Sequence, residues 1–218
     1  MTTQVNSEDI SRMIRAAAAL IRAGQKRLSE LDSVAGDGDH GTTMLRVVDC
    51  LERVFALDSA VDLKQSFHQA GWDVMGADGG ASTSLLGVFF EGISDGLPDR
   101  CVCLDCRSLA LAFQSGLAAV QRQTKAQPGD KTMMDALTPA ISALNDAAQC
   151  GADISEALHR AAEAAQFGAN ATKNMAGRYG RARLLGEKTL GYQDAGAISV
   201  ALMFAGFAQG SSASKGDS

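Results

Sequence analysis

Residues Leu31 to Thr43 read LDSVAGDGDHGTT, which places Asp32, Asp37 and Asp39 among glycines just ahead of His40. Three carboxylates this close in the chain repel one another. A folded protein keeps such a cluster when a cation sits among the acids, or when all three stay in water. Mg2+ takes oxygen ligands and keeps positions open for substrate phosphates. Three aspartates bridging two Mg2+ ions would leave a net positive site that attracts a polyphosphate. The alternative is a solvated acidic loop acting as an N-cap cluster for the helix that follows.

Rival motifs fail on their neighbours. GDGDHG matches G-x-G-x-x-G in letters, but a dinucleotide fingerprint follows a strand, and the pattern before this stretch is helical. As an EF-hand loop it puts Gly41 at the third ligand position and Val48 where a bidentate glutamate is required. Gly129-Asp130-Lys131-Thr132 ends like a Walker A loop, yet an acid separates the glycine from the lysine. Gly80-Ala81-Ser82-Thr83 continues with Ser84, so it is no hydrolase elbow. Cys101, Cys103 and Cys106 form CVCLDC without a fourth Cys or His nearby, which reads as an incidental loop before a helix and not as a zinc site.

Other loops suit an anion. Gly79 to Thr83 opens a helix with small residues and hydroxyls, and helix N-terminal amides bind phosphate. Taken alone, this is equally an ordinary glycine turn with a Ser/Thr cap. Arg178, Arg181 and Arg183 crowd one segment that ends in Gln193-Asp194-Ala195-Gly196, though a surface arginine cluster is commonly just solvated charge. Four glycine-bearing loops that each lead into a helix would converge at one end of an up-and-down bundle.

The elements that must position these loops are helical. Apolar residues are 46% of 218 but aromatics only 5%, which favours helices packed on small side chains over a β-sandwich. Ile10, Met13, Ile14, Ala17, Leu20 and Ile21 recur at helical spacing after an expected N-cap at Ser7. Further helices are expected from about Gly41, over about 63–76, from the GGAST loop, over about 108–122, over about 132–150, from an N-cap at Asp153 to about Asn174, and over about 195–209. Pro139 should kink the sixth or mark a restart. No stretch alternates convincingly as a strand. The expected fold is all-α: about eight antiparallel helices in one domain over 1–210, with 211–218 as a disordered tail. Lys and Arg total 20 against 25 for Asp and Glu, a net charge of -5 without a basic stripe, which argues against nucleic acid or anionic lipid as main partners. Five cysteines, a polar N-terminal segment and no apolar run judged long enough for a bilayer point to a cytoplasmic protein with reduced thiols.

LDSVAGDGDHGTTM, GGASTSLLG, PGDKTMMDALTPA and GRARLLGEKTLGYQDAGA together resemble the nucleotide-binding L subunit of dihydroxyacetone kinases, and the likeness runs from the first helix to the last. The resemblance implies a barrel of eight antiparallel helices with ADP or ATP in its mouth. It implies Asp32, Asp37 and Asp39 as ligands of two Mg2+ ions. It sets His40, Gly41, Thr42 and Thr43 against the phosphates, and Ala81 and Ser82 on the phosphate loop. Thr124, Met133 and Arg181 would line the rest of the nucleotide, and Asp194, Ala195 and Gly196 would close the site. The departures are Thr83-Ser84, where Gly-Pro or Gly-Ala is common, and Ala195, where proline is usual.

The same resemblance implies a phosphotransferase acting on an alcohol group: the phosphoryl group passes to dihydroxyacetone, or to a related ketose such as erythrulose, held on a separate K subunit. Asp32, Asp37, Asp39, His40 and Arg181 are then the candidate catalytic set, with His40 as a hydrogen-bond donor to phosphate. The donor is either free ATP or a phosphohistidine protein of the phosphotransferase system acting through fixed ADP, and GEKTLGYQD leans towards the second. A Mg-ADP-binding sensor subunit working through a partner is the alternative function. A homo-oligomer is left open.

Overall fold

A computed structural model describes residues 3–56 and 62–212. Its helices are α1 (Ser7–Asp32), α2 (His40–Phe55), α3 (Leu63–Met75), α4 (Gly80–Asp95), α5 (Cys106–Gln123), α6 (Met134–Gln149), α7 (Ile154–Ala171) and α8 (Ala195–Ser212). Each packs on the next, and α8 packs back on α1, closing an antiparallel ring. The chain is thus all-α apart from a short ladder between β1 (Gln4–Asn6) and β2 (Cys103–Asp105), which pair antiparallel. That ladder corrects the expectation of no strand: three residues are too few for an alternating pattern to stand out, and it is their pairing across the chain that defines them.

The interior is filled by aliphatic side chains around a chain of edge-on rings: Phe89 meets Phe113 at 5.7 Å, Phe113 meets Phe204 and Phe207 at 6.1 Å each, and Phe204 meets Phe207 at 5.6 Å. Small residues let the helices come close. A Cβ on Gly206 would stand 2.2 Å from the Ala17 Cα, so α1 and α8 touch through their backbones. The α8 helix is long and apolar enough to cross a membrane by composition, and 72% of it is buried inside the barrel. That explains its apolar character as core packing.

Several boundaries move. Asn6, not Ser7, caps α1, in a reciprocal capping box with Asp9. The seventh helix stops at Ala171 and passes through a 3-10 turn, Thr172–Asn174. Pro139 lies inside an unbroken α6, so no restart occurs. The α8 helix continues to Ser212, with Ser211 buried, and residues 213–218 of the expected tail lie outside the described residues.

The alternation of direction sorts the helix ends. The odd helices begin at one end of the barrel, each capped by an acid or amide side chain: Asn6, Asp62, Asp105 and Asp153. The even helices begin at the other end. There, α2 and α4 start without a side-chain cap. Their first amides lack the partners that the odd helices supply, and the positive ends of their dipoles face the same mouth.

Candidate functional site

That mouth holds a cavity of about 560 Å3, lined by the segments before α2, α4, α6 and α8. Its acidic wall comes from the α1–α2 connection. Asp32 is the last residue of α1, where an acid is disfavoured by the helix dipole. The chain then folds back on it. The Asp32 carbonyl accepts from Gly36 N at 2.6 Å, and its carboxylate accepts from Gly38 N at 2.9 Å. Gly38 sits at φ 77, in the region that favours glycine, and this turn brings Asp37 and Asp39 round to Asp32. One oxygen from each of the three carboxylates lies within 4.8 Å of the others.

The electrostatics show the strain of this grouping. Asp37 pairs with Arg181, whose guanidinium holds its carboxyl below the usual range. Desolvation in the mouth and the charge of Asp37 push the Asp39 carboxyl up. Asp39 precedes α2 but makes no side-chain cap bond, so its carboxylate is not committed to the helix. Three oxygens at this spacing, with one acid under like-charge pressure, fit a hard divalent cation as donor set.

His40 is 6% exposed, and burial pushes its imidazole down, so it is neutral at neutral pH. Its Nε2 lies 3.1 Å from Ser199 Oγ and its Nδ1 lies 3.4 Å from Ser82 Oγ, which links α2 to α8 and to the start of α4. The Thr43 hydroxyl is buried beside the cavity and has no hydrogen-bond partner among the described residues. Across from the acids, α4 begins at Gly80 with φ 63, and Gly80, Ala81 and Ser82 line the cavity. A Cβ on Gly79 would meet Thr43 and Thr83 at 2.5 Å, so only glycine lets this turn lie against α2.

The opposite wall is built on two polar anchors, Asp135 buried and Asp194 half-buried. Asp135 is 4% exposed and accepts from Gly129 N at 2.5 Å and Thr132 N at 2.7 Å, shaping the turn before α6. Asp194 accepts from Ala197 N at 2.7 Å and closes the first turn of α8. Burial pushes its carboxyl up to about 7. Between these, 3-10 turns at Arg181–Leu184 and Gly186–Thr189 order the arginine-bearing segment.

Of the residues singled out from sequence, Asp32, Asp37, Asp39, His40, Thr43, Ala81, Ser82, Thr124, Met133, Arg181, Asp194, Ala195 and Gly196 all line the cavity. Gly41 and Thr42 do not. Gly41 is turned against α1, where a Cβ would stand 2.2 Å from the Gln25 carbonyl, and Thr42 is exposed. Leu85, Tyr179 and Tyr192 line the cavity without having been singled out. Ser199 was also missed, being an ordinary serine one turn into an apolar helix. Lys131 was noted only as part of a failed Walker A match. The cysteines form no cluster with a metal-binding geometry among the described residues, and all five are free.

A closed ring of eight helices with carboxylates and bare helix N-termini gathered at one mouth defines an all-α barrel able to take a cation in front of an anion. The chain belongs to the DAK2 domain family, whose model matches residues 34–209. It is 32% identical, over 84% of its length and 86% of the relative's, to the ADP-binding subunit DhaL of PEP-dependent dihydroxyacetone kinase 1 of Listeria innocua. It is 36% identical to the corresponding subunit of Escherichia coli, over 81% of this chain and 83% of that one. L-erythrulose kinase of Pectobacterium atrosepticum is 36% identical over 89% of this chain, which spans only 33% of that enzyme. The crystal structure of the dihydroxyacetone kinase from C. freundii, in complex with AMP-PNP and Mg2+, superposes with a TM-score of 0.71 at 26% identity. The match covers 96% of this chain and 35% of that one.

Proposed function

We propose that this chain is the nucleotide-binding subunit of a two-protein dihydroxyacetone kinase. It holds a Mg2+-bound adenine nucleotide in the barrel mouth and delivers the terminal phosphoryl group to dihydroxyacetone, or a related short ketose, carried by a separate K subunit. The observation that carries this reading is the meeting of three carboxylates with the uncapped N-termini of α2 and α4 in one cavity. The names of the relatives support it: two are ADP-binding subunits of dihydroxyacetone kinases, and a third phosphorylates erythrulose.

Asp32, Asp37 and Asp39 would hold two Mg2+ ions. Those ions would neutralise the nucleotide's phosphate charge, which is most of what phosphoryl transfer asks of a site. The amides of Gly80, Ala81 and Ser82 receive phosphate oxygens at the start of α4. His40, neutral and held between Ser199 and Ser82, fixes the start of α4 against α2 beside the phosphates. Arg181, beside the acids, stabilises charge that develops on the transferring group. Leu31, Val34, Leu85 and Met133 give the cavity an apolar part suited to a base. The base that takes the acceptor's proton belongs to the partner, and GEKTLGYQD favours a phosphohistidine donor acting through retained ADP.

The test is phosphoryl transfer with a K subunit loaded with dihydroxyacetone, supplied either with ATP or with ADP plus a phosphohistidine protein. The reading expects ketose phosphate with one of the two donors, and only when the K subunit is present. No transfer with either donor, from protein that still binds Mg-ADP, would overturn it in favour of a binding subunit without turnover.

A further inference from the structure

The turn Gly129–Thr132 touches both ends of the segment that carries Arg181. At the front, Arg178 N donates to the Asp130 carbonyl at 3.2 Å, and the Arg178 guanidinium lies 3.6 Å from the Asp130 carboxylate. At the back, the Lys131 ammonium donates to the carbonyl of Tyr192 and, at 2.6 Å, to the carbonyl of Thr172. Lys131 is 5% exposed and sits at φ 63, a conformation that disfavours a lysine. A long cationic side chain held at a strained position and buried against carbonyls is there for what its ammonium does. The turn itself is fixed from below by Asp135 through Gly129 N and Thr132 N. The far end of the segment is tied to the same place, because Asp194 N donates to Thr172 Oγ1 at 2.9 Å.

We propose that Lys131 is a positioning residue: its ammonium clasps the Tyr192 and Thr172 carbonyls, closes the 178–192 segment on the turn before α6, and so holds Arg181 facing Asp37. This rests on the function proposed above for its catalytic consequence, but the clasp itself is a statement about the chain. The interactions on Arg181 are its pair with Asp37 and the pull of Asp32 and Asp39, all from the opposite wall. Among the described residues no hydrogen bond from that wall reaches the backbone of 178–192; the turn at 129–132 holds it at both ends, joined at the back by Gly191 N, which donates to the Lys173 carbonyl at 2.7 Å.

Two variants separate side chain from backbone. Lys131→Met keeps the length and removes the donor. Lys131→Gly removes the donor and suits φ 63. Both should fold, with unchanged far-ultraviolet circular dichroism, yet both should expose the bonds after Arg178, Arg181, Arg183 and Lys188 to trypsin. Cleavage there should rise about tenfold over the natural protein, because proteolysis follows the population of the opened segment. In phosphoryl transfer, Lys131→Met should lower kcat about as much as Arg181→Gln, and the double variant should lose no more than Arg181→Gln alone. Unchanged cleavage in both variants overturns the clasp. Raised cleavage with losses that multiply in the double variant overturns the link to Arg181. If the natural protein transfers nothing, the function proposed above fails, and the cleavage measurement still decides the clasp.

Discussion

Replacing Asp37 by asparagine separates a metal site from an acidic loop. In the protein without ligands, the change removes the pair with Arg181 and relieves the repulsion on Asp39. Both partners of that pair are well exposed, with side chains 61% and 50% accessible, so solvent and salt screen it, and the two effects oppose each other. The unfolding temperature of the ligand-free variant should therefore stay close to that of the natural protein. The ligand-bound state behaves differently. Ligand at about a hundred times its dissociation constant stabilises the folded state by about 2.7 kcal/mol. At about 2–4 °C per kcal/mol for a domain of this size, that is a rise of about 5–10 °C. Differential scanning fluorimetry with ADP and Mg2+, against ADP with EDTA, should show this rise in the natural protein and lose it with EDTA. The Asp37→Asn variant should show no rise in either condition. A rise that survives the substitution, or one indifferent to EDTA, would refute the assignment of the acids to a metal.

Two further outcomes follow from the packing and the charges. The Asp194 carboxyl is raised to about 7 in the folded protein, so between about pH 4 and pH 7 the folded state holds a proton the unfolded chain has released. Stability falls as pH rises through that window, by up to about 4 kcal/mol. Asp194→Asn keeps an oxygen for Ala197 N and removes the charge, so its unfolding temperature between about pH 5 and pH 8 should vary less than that of the natural protein; an equal slope contradicts the account. Gly206→Ala gains about 1 kcal/mol of helix propensity but drives a methyl into the Ala17 backbone. Overpacking costs about 1–3 kcal/mol, and a backbone contact cannot swing away, so the unfolding temperature should drop by a few degrees while the Mg-ADP rise is retained.

Most of the fold was legible because the signals were local. Apolar residues at helical spacing, acids before helix starts and glycines between them pointed to eight helices and one domain, and the structure has both. The boundaries that moved were set by partners distant in sequence or by polar residues with equal claims. Asn6 and Ser7 both suit an N-cap, and only the reciprocal bond with Asp9 decides between them. The β1–β2 ladder joins segments far apart in sequence, Gln4–Asn6 and Cys103–Asp105. At the site, the acid cluster and the glycine loops could be read from spacing. Lys131 could not, because its role comes from a left-handed backbone and two carbonyls contributed by later segments. Gly41 sits inside the motif that the family resemblance carries, yet its side points at α1, so motif membership did not indicate direction.

The most direct test of the central claim is anomalous diffraction from crystals grown with ADP and Mn2+, which substitutes for Mg2+ in oxygen sites. The account predicts two anomalous peaks among Asp32, Asp37 and Asp39, with the nucleotide's phosphates between them and the start of α4. An ordered nucleotide in the mouth with no peak at those carboxylates, or metal bound elsewhere on the barrel, would contradict it.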